Sequence, residues 1–194
     1  FKKSDNTVNG YFIGGFYGLI IGNAFTLTSS VFSGENITLR DFTILPSVAM
    51  NASYQGYIGG TTIGVCSSTI NGPGCANFLS GSPGSGAGYG GIGGKSVDNS
   101  AIKGTGGTTY GLSNAPTALG SGGGRGHDAD NGVGGNGGGA IKINATNLIN
   151  ISGTITANGG QGNLVNAYVG GSGSGGSIWL ITNKFYGTGT ITAT

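Results

Sequence analysis

The feature that most constrains this chain is a phrase that it writes twice. Residues 137–160 read GGGAIKINATNLINISGTITANGG, and residues 174–194 read SGGSIWLITNKFYGTGTITAT. Gly138-Gly139-Ala140-Ile141 matches Gly175-Gly176-Ser177-Ile178 at an offset of 37, and Gly153-Thr154-Ile155-Thr156-Ala157 matches Gly189-Thr190-Ile191-Thr192-Ala193 at an offset of 36. Each copy is a glycine turn, a strand, a short polar break and a second strand ending in GTITA. A unit this small cannot bury its apolar face alone, so its repetition implies units stacked on one another.

Alternation within the copies gives each side chain a face. In residues 140–146, Ile141 and Ile143 point inward, while Lys142, Asn144 and Thr146 point outward. In residues 148–158, Ile149, Ile151, Ile155 and Ala157 are the inward set and Asn150, Ser152, Thr154 and Thr156 the outward one. The second copy places Ile178, Leu180, Ile191 and Ala193 inward. Trp179, the only tryptophan, then points outward beside Ile181, either as a binding handle or under a covering segment. The outward threonines of the two GTITA segments also suggest a short ice-binding ladder.

These segments carry a resemblance. GGNGGGAIKI, INISGTITANGG, GGSGSGGSIWLI and GTGTITAT resemble the glycine-rich repeat of large secreted surface proteins of bacteria and protists. TITANGG and GGSIWL carry it most closely, over the C-terminal quarter. GYIGG near Gly56 matches more loosely, and the residues before about Asn36 are not covered. The resemblance implies a parallel β-helix built for the cell surface. It carries over no catalytic residue.

The preceding part of the chain reads as elaboration on this stack. Residues 1–9 are a polar lead-in, and the chain begins at Phe1 without an initiator Met, as a processed protein or a fragment does. Residues 10–22, GYFIGGFYGLIIG, are apolar on both parities, the pattern of a strand buried on both faces. Tyr11, Phe12, Ile13, Phe16, Tyr17, Leu19, Ile20 and Ile21 are its assembly candidates. The strand either completes its own core or is donated to a neighbouring subunit. Residues 25–32, 36–45 and 48–54 are further strands, with Ile37, Leu39, Phe42 and Ile44 inward and a phase slip at Asp41 that suggests a bulge.

Between about residues 56 and 139 the glycines come in pairs and triplets: GYIGG, GYGGIGG, GTGG, GSGGGRG, GVGGNGGG. The chain holds 46 glycines among 194 residues, against about 7% on average. Such density strongly disfavours helix. Either this insert is a flexible linker or its backbones pack by close approach, and the tyrosines and isoleucines set among the glycines favour packing. Residues 1–22 therefore read as an arm with an apolar strand, and residues 23–194 as one all-β domain. The expected fold is a short right-handed parallel β-helix with a glycine-rich insert. The alternative is an antiparallel β-sandwich or jelly roll completed by a donated N-terminal strand.

Eight basic and six acidic residues are scattered, with no basic run, so nucleic acid is not an expected partner. The longest apolar run is about a dozen residues, short of the ~20 that a membrane span needs. Cys66 and Cys75 bracket a Pro-Gly turn, a spacing that allows a local disulfide and leaves free thiols as the alternative. A disulfide implies an oxidising compartment. Sequons at Asn36, Asn51, Asn144 and Asn150 suggest N-glycosylation and the same setting.

No catalytic constellation stands out. The acids are dispersed, where glycoside hydrolysis needs a pair. Asp128, Asp130 and Asn131 offer oxygens to calcium, and His127 precedes them, but no closing Glu follows as in an EF-hand. This reads as a solvated loop tip. No cofactor is expected. The leading expectation is a non-enzymatic, self-assembling subunit of an extracellular filament or cell-surface layer, held by strand-edge or donor-strand contacts and possessing an adhesive role. The second is a carbohydrate-binding or carbohydrate-degrading surface module.

Overall fold

The structure, a computed structural model, describes residues 16–21, 25–26, 38–61, 66–76, 82–98, 101–126, 132–165 and 168–194. Its strands are β1 (Phe16–Ile21), β2 (Phe25–Thr26), β3 (Thr38–Ile44), β4 (Ala49–Asn51), β5 (Ser96–Asp98), β6 (Ala101–Gly104), β7 (Ala140–Ile151), β8 (Thr154–Thr156), β9 (Leu164–Val165), β10 (Tyr168–Val169), β11 (Ser177–Tyr186) and β12 (Thr190–Thr192). Among the described residues there is no helix, and so none long and apolar enough to cross a membrane. The chain is all-β.

Two open four-stranded sheets form the body, in the orders β1-β3-β7-β11 and β12-β8-β4-β2. Every pairing within them is parallel. The antiparallel sandwich therefore does not describe these strands. The strands fall into four successive pairs, β1 with β2, β3 with β4, β7 with β8 and β11 with β12. Each pair, here termed a rung, gives one strand to each sheet. The offsets of 36 and 37 in the sequence are the spacing of the last two rungs: Ile178 pairs with Ile141, and Ile191 with Ile155.

The second, third and fourth rungs turn at the same place. Pro46 and Ser47 form the corner of the second, with Ser47 at a φ of 65° and the Val48 N–H donating to the Leu45 carbonyl at 3.2 Å. Ser152 and Gly153 turn the third, and Gly187, at a φ of 115°, the fourth. The corners are stacked by hydrogen bonds too: Thr154 N–H donates to Val48 O and Thr190 N–H to Gly153 O, both at 2.9 Å.

The core lies between the sheets. Phe42, Ile44, Met50, Ile141, Ile143, Ile149, Ile151, Ile155 and Ala157 are buried there, and Ile178 and Leu180 pack against it half-covered. This is the inward set that alternation assigns to residues 140–158. The slip at Asp41 is real: the β3–β7 register shifts between Leu39 and Asp41. The break near Asn147 is not. β7 runs unbroken from Ala140 to Ile151, because the extra residue is taken up as a bulge, and the chain turns only at Ser152–Gly153.

The glycine-rich part packs by a different rule. Its extended segments bond at every third residue. The N–H groups of Gly120, Gly123 and Gly126 donate to the carbonyls of Gly138, Gly135 and Gly132, and those of Gly170, Gly173 and Gly176 to Asn163, Gly160 and Ala157. Tyr57 and Gly60 donate to Gly120 and Gly123, while Gly135 and Gly138 donate to Gly171 and Ser174. A repeat of three is that of the polyproline II conformation, which makes no hydrogen bonds within itself and faces neighbours on three sides. The result is a bundle of chains bonded backbone to backbone. Glycine is required where the chains cross closely: a Cβ at Gly135 would fall within 3.0 Å of the Gly160 carbonyl, as the crowded axis of collagen also forbids. Segments that precede and follow β7 and β8 in the chain join this bundle, and it is bonded to the ends of the rungs at Ala52, Gly139 and Ala157.

Candidate functional site

Exposed apolar side chains occur both in the loops, Ile92 and Leu112 among them, and at the outer edge of the fourth rung, where they continue the buried core. Four columns of paired residues run through the sheets in register with inward positions of β7 and β8. Leu19, Phe42, Ile149 and Phe185 make one. Phe25, Met50, Ile155 and Ile191 make another. Ile141 is followed by Ile178, and Ile143 by Leu180. In the middle of the first two columns Ile149 and Ile155 are 0% exposed, whereas at the end Phe185 is 52% and Ile191 40% exposed. The columns thus finish on apolar side chains that no further strand covers among the described residues. β11 and β12 also end their sheets, which leaves one side of each strand's backbone without a ladder partner among the described residues.

Polar bonds mark the contacts of the second rung with the third and of the third with the fourth. Asn147 Nδ2 donates to Asp41 Oδ1 at 2.6 Å, and Asn183 Nδ2 to the Thr146 carbonyl at 2.7 Å. Thr156 Oγ1 donates to Asn51 Oδ1 at 2.8 Å, and the Thr194 N–H to Asn158 Oδ1 at 3.0 Å. On the outward face Lys142 Nζ stands 4.3 Å from the centroid of the Trp179 ring, a cation–π contact between adjacent strands.

Of the assembly candidates, Tyr11, Phe12 and Ile13 lie outside the described residues. Phe16, Tyr17, Leu19, Ile20 and Ile21 form β1, whose backbone pairs in parallel with β3 of the same chain at the far edge of the sheet. Cys66 and Cys75 are joined in a disulfide, with Cα atoms 5.7 Å apart. Asn36 lies outside the described residues. Asn144 and Asn150 are half-exposed on the outward side of β7, while Asn51 accepts hydrogen bonds from Thr156 and from the Ser53 N–H. His127, Asp128, Asp130 and Asn131 are outside the described residues. No group of three His, Cys, Asp or Glu able to hold a metal occurs among those described. Of the threonines in the two GTITA segments, Thr156 Oγ1 donates to Asn51 and Thr192 Oγ1 is buried, while Thr190 is exposed.

A second feature lies where the glycine bundle meets the rungs. Tyr89 and Tyr110 stack at 4.8 Å between ring centroids, tilted by 58°. The Tyr89 hydroxyl meets Ser177 Oγ at 2.6 Å. Tyr110 donates to the Leu119 carbonyl and accepts from Ser121 Oγ at 2.9 Å, and Ser121 Oγ accepts the Gly74 N–H at 2.9 Å. Burial pushes the Tyr110 phenol up to about 12, against a smaller downward pull from the Ser121 hydrogen bond. That is the wrong direction for a general base at neutral pH. The cluster instead clamps the bundle to the first residue of β11. Tyr89 also lines an open groove of about 520 Å³ with Ile92, Ser172, Ser174, Ala193 and Thr194, and no charged residue is among its walls. Alternation could not find this cluster; its only trace in the sequence is tyrosine set singly among glycines.

Comparison with protein-family models, with curated proteins and with solved structures gives no match to this chain.

Proposed function

We propose that the four rungs form a short right-handed parallel β-helix, and that the chain is a structural subunit of an extracellular filament or surface layer. Copies join through their strand edges, and the role is mechanical or adhesive. The observation that carries this reading is the exposure of Phe185 and Ile191 at the end of columns whose inner members are fully buried. An apolar edge with a free parallel ladder is a template for another strand. The cysteine bridge, the sequons and the likeness to secreted glycine-rich repeats support an extracellular setting.

A second reading, a carbohydrate-binding surface module, is favoured by the uncharged groove of Tyr89, Ile92 and hydroxyl groups. Negative-stain microscopy with size-exclusion chromatography on the purified protein separates the two. Regular fibres or sheets are the expected result. A monomer at every concentration, together with binding on a glycan array, overturns the first reading in favour of the second.

A further inference from the structure

Resting on the assembly reading, we propose that the contact between copies is head-to-tail. The β1–β2 edge of one copy adds in parallel to the β11–β12 edge of the next, and the polymer is polar and open. The interface that joins rung to rung inside the chain is continuous with the free edge. Adding one more rung in the same register sets Leu19 of the incoming copy opposite Phe185 and its Phe25 opposite Ile191, because these are the positions that the columns already equate. Both sheets are then extended at once, each by a parallel strand, as at every other step of the stack.

Two β11 edges related by a two-fold axis perpendicular to the sheet run antiparallel, unlike every pairing within the two sheets. A heterologous contact keeps the parallel register of the stack, and when its rotation does not close it generates an open fibre. The occupant assigned to the edge is a second copy of this chain, presented by its opposite end.

The test is a chain-terminator experiment. Phe185→Lys with Ile191→Lys changes two exposed side chains of the fourth rung and leaves the β1–β2 edge unaltered. Its melting curve is compared first with that of the native chain, and Ile191→Lys alone replaces it if the pair melts early. The variant alone is expected not to elongate. Mixed in at low fraction, it is expected to join growing fibres by its intact edge, stop them, and shorten their mean length in proportion to its fraction. Fibre lengths unchanged at every fraction overturn the head-to-tail contact while the assembly reading stands. Absence of fibres from the native chain itself overturns both.

Discussion

The rungs and the glycine bundle are built from opposite materials. In the rungs, branched side chains fill the space between two sheets, and Ile149, Ile151 and Ile155 are buried there almost completely. In the bundle the backbones themselves fill the space, and most glycines face a carbonyl of a neighbouring segment. A strand repeats every two residues and offers two faces; a polyproline II segment repeats every three and offers three. The first arrangement stabilises by transferring apolar area out of water. The second depends on hydrogen bonds between chains that only glycine lets come so close. Small and large side chains should therefore have opposite value in the two regions.

The most direct way to break this contrast is one substitution in each region. Ile149→Ala removes buried atoms from the rungs and is expected to cost about 2–5 kcal/mol, by lost transfer energy and the cavity left behind. Gly135→Ala adds a single methyl group to the bundle, where the obstructing Gly160 carbonyl is backbone and cannot swing aside. Its cost is expected to be about 1–3 kcal/mol, as for other overpacked sites. Urea denaturation of both variants measures them. A Gly135→Ala chain as stable as the native one would show that close backbone approach does not hold the bundle.

The same contrast explains how much the sequence disclosed. Alternation named Ile141, Ile143, Ile149, Ile151 and Ile155 as inward because a side chain reports its own face. The slip at Asp41 was legible for the same reason. Asn147 misled because a polar residue inside a strand and one at a corner look alike until the register is known. The bundle could be read only as far as close packing. Glycine has no side chain whose pattern would reveal a repeat of three, and the partners of Gly120 or Gly135 are fixed by long-range hydrogen bonds. At the candidate site, Ile191 was placed on the inward face correctly, but Phe185 lies in FYGTG, which reads as the approach to a turn. Its position in the Phe42–Ile149 column emerges only from the pairing.

A smaller effect is expected where the two regions meet. Tyr110→Phe removes the hydrogen bonds to Leu119 and Ser121 and should cost about 0.5–1.5 kcal/mol at neutral pH. The native phenol also carries a pH signature. Burial raises it to about 12, so the folded state favours the neutral form. The stability this contributes is complete below the unfolded value of about 10 and is lost as pH rises from there through about 12. Melting temperatures followed into that alkaline range should fall less steeply for Tyr110→Phe than for the native chain. Equal slopes would mean that the phenol is no better buried when folded than when unfolded.

The finest test lies between adjacent glycines. A Cβ built on Gly93 falls within 3.0 Å of the Gly86 carbonyl, whereas one built on Gly94 meets nothing within 4 Å, and the φ of Gly94 lies outside the left-handed region. Gly94→Ala should thus be stabilising by about 0.4–1 kcal/mol, since alanine restricts the unfolded chain and strains nothing in the folded one. Gly93→Ala should be destabilising. Opposite signs at neighbouring positions would separate glycine needed for packing from glycine that is only flexible. If both substitutions destabilise, the segment that Gly94 closes by accepting the Gly86 N–H requires glycine for a reason other than the room around its Cα atoms.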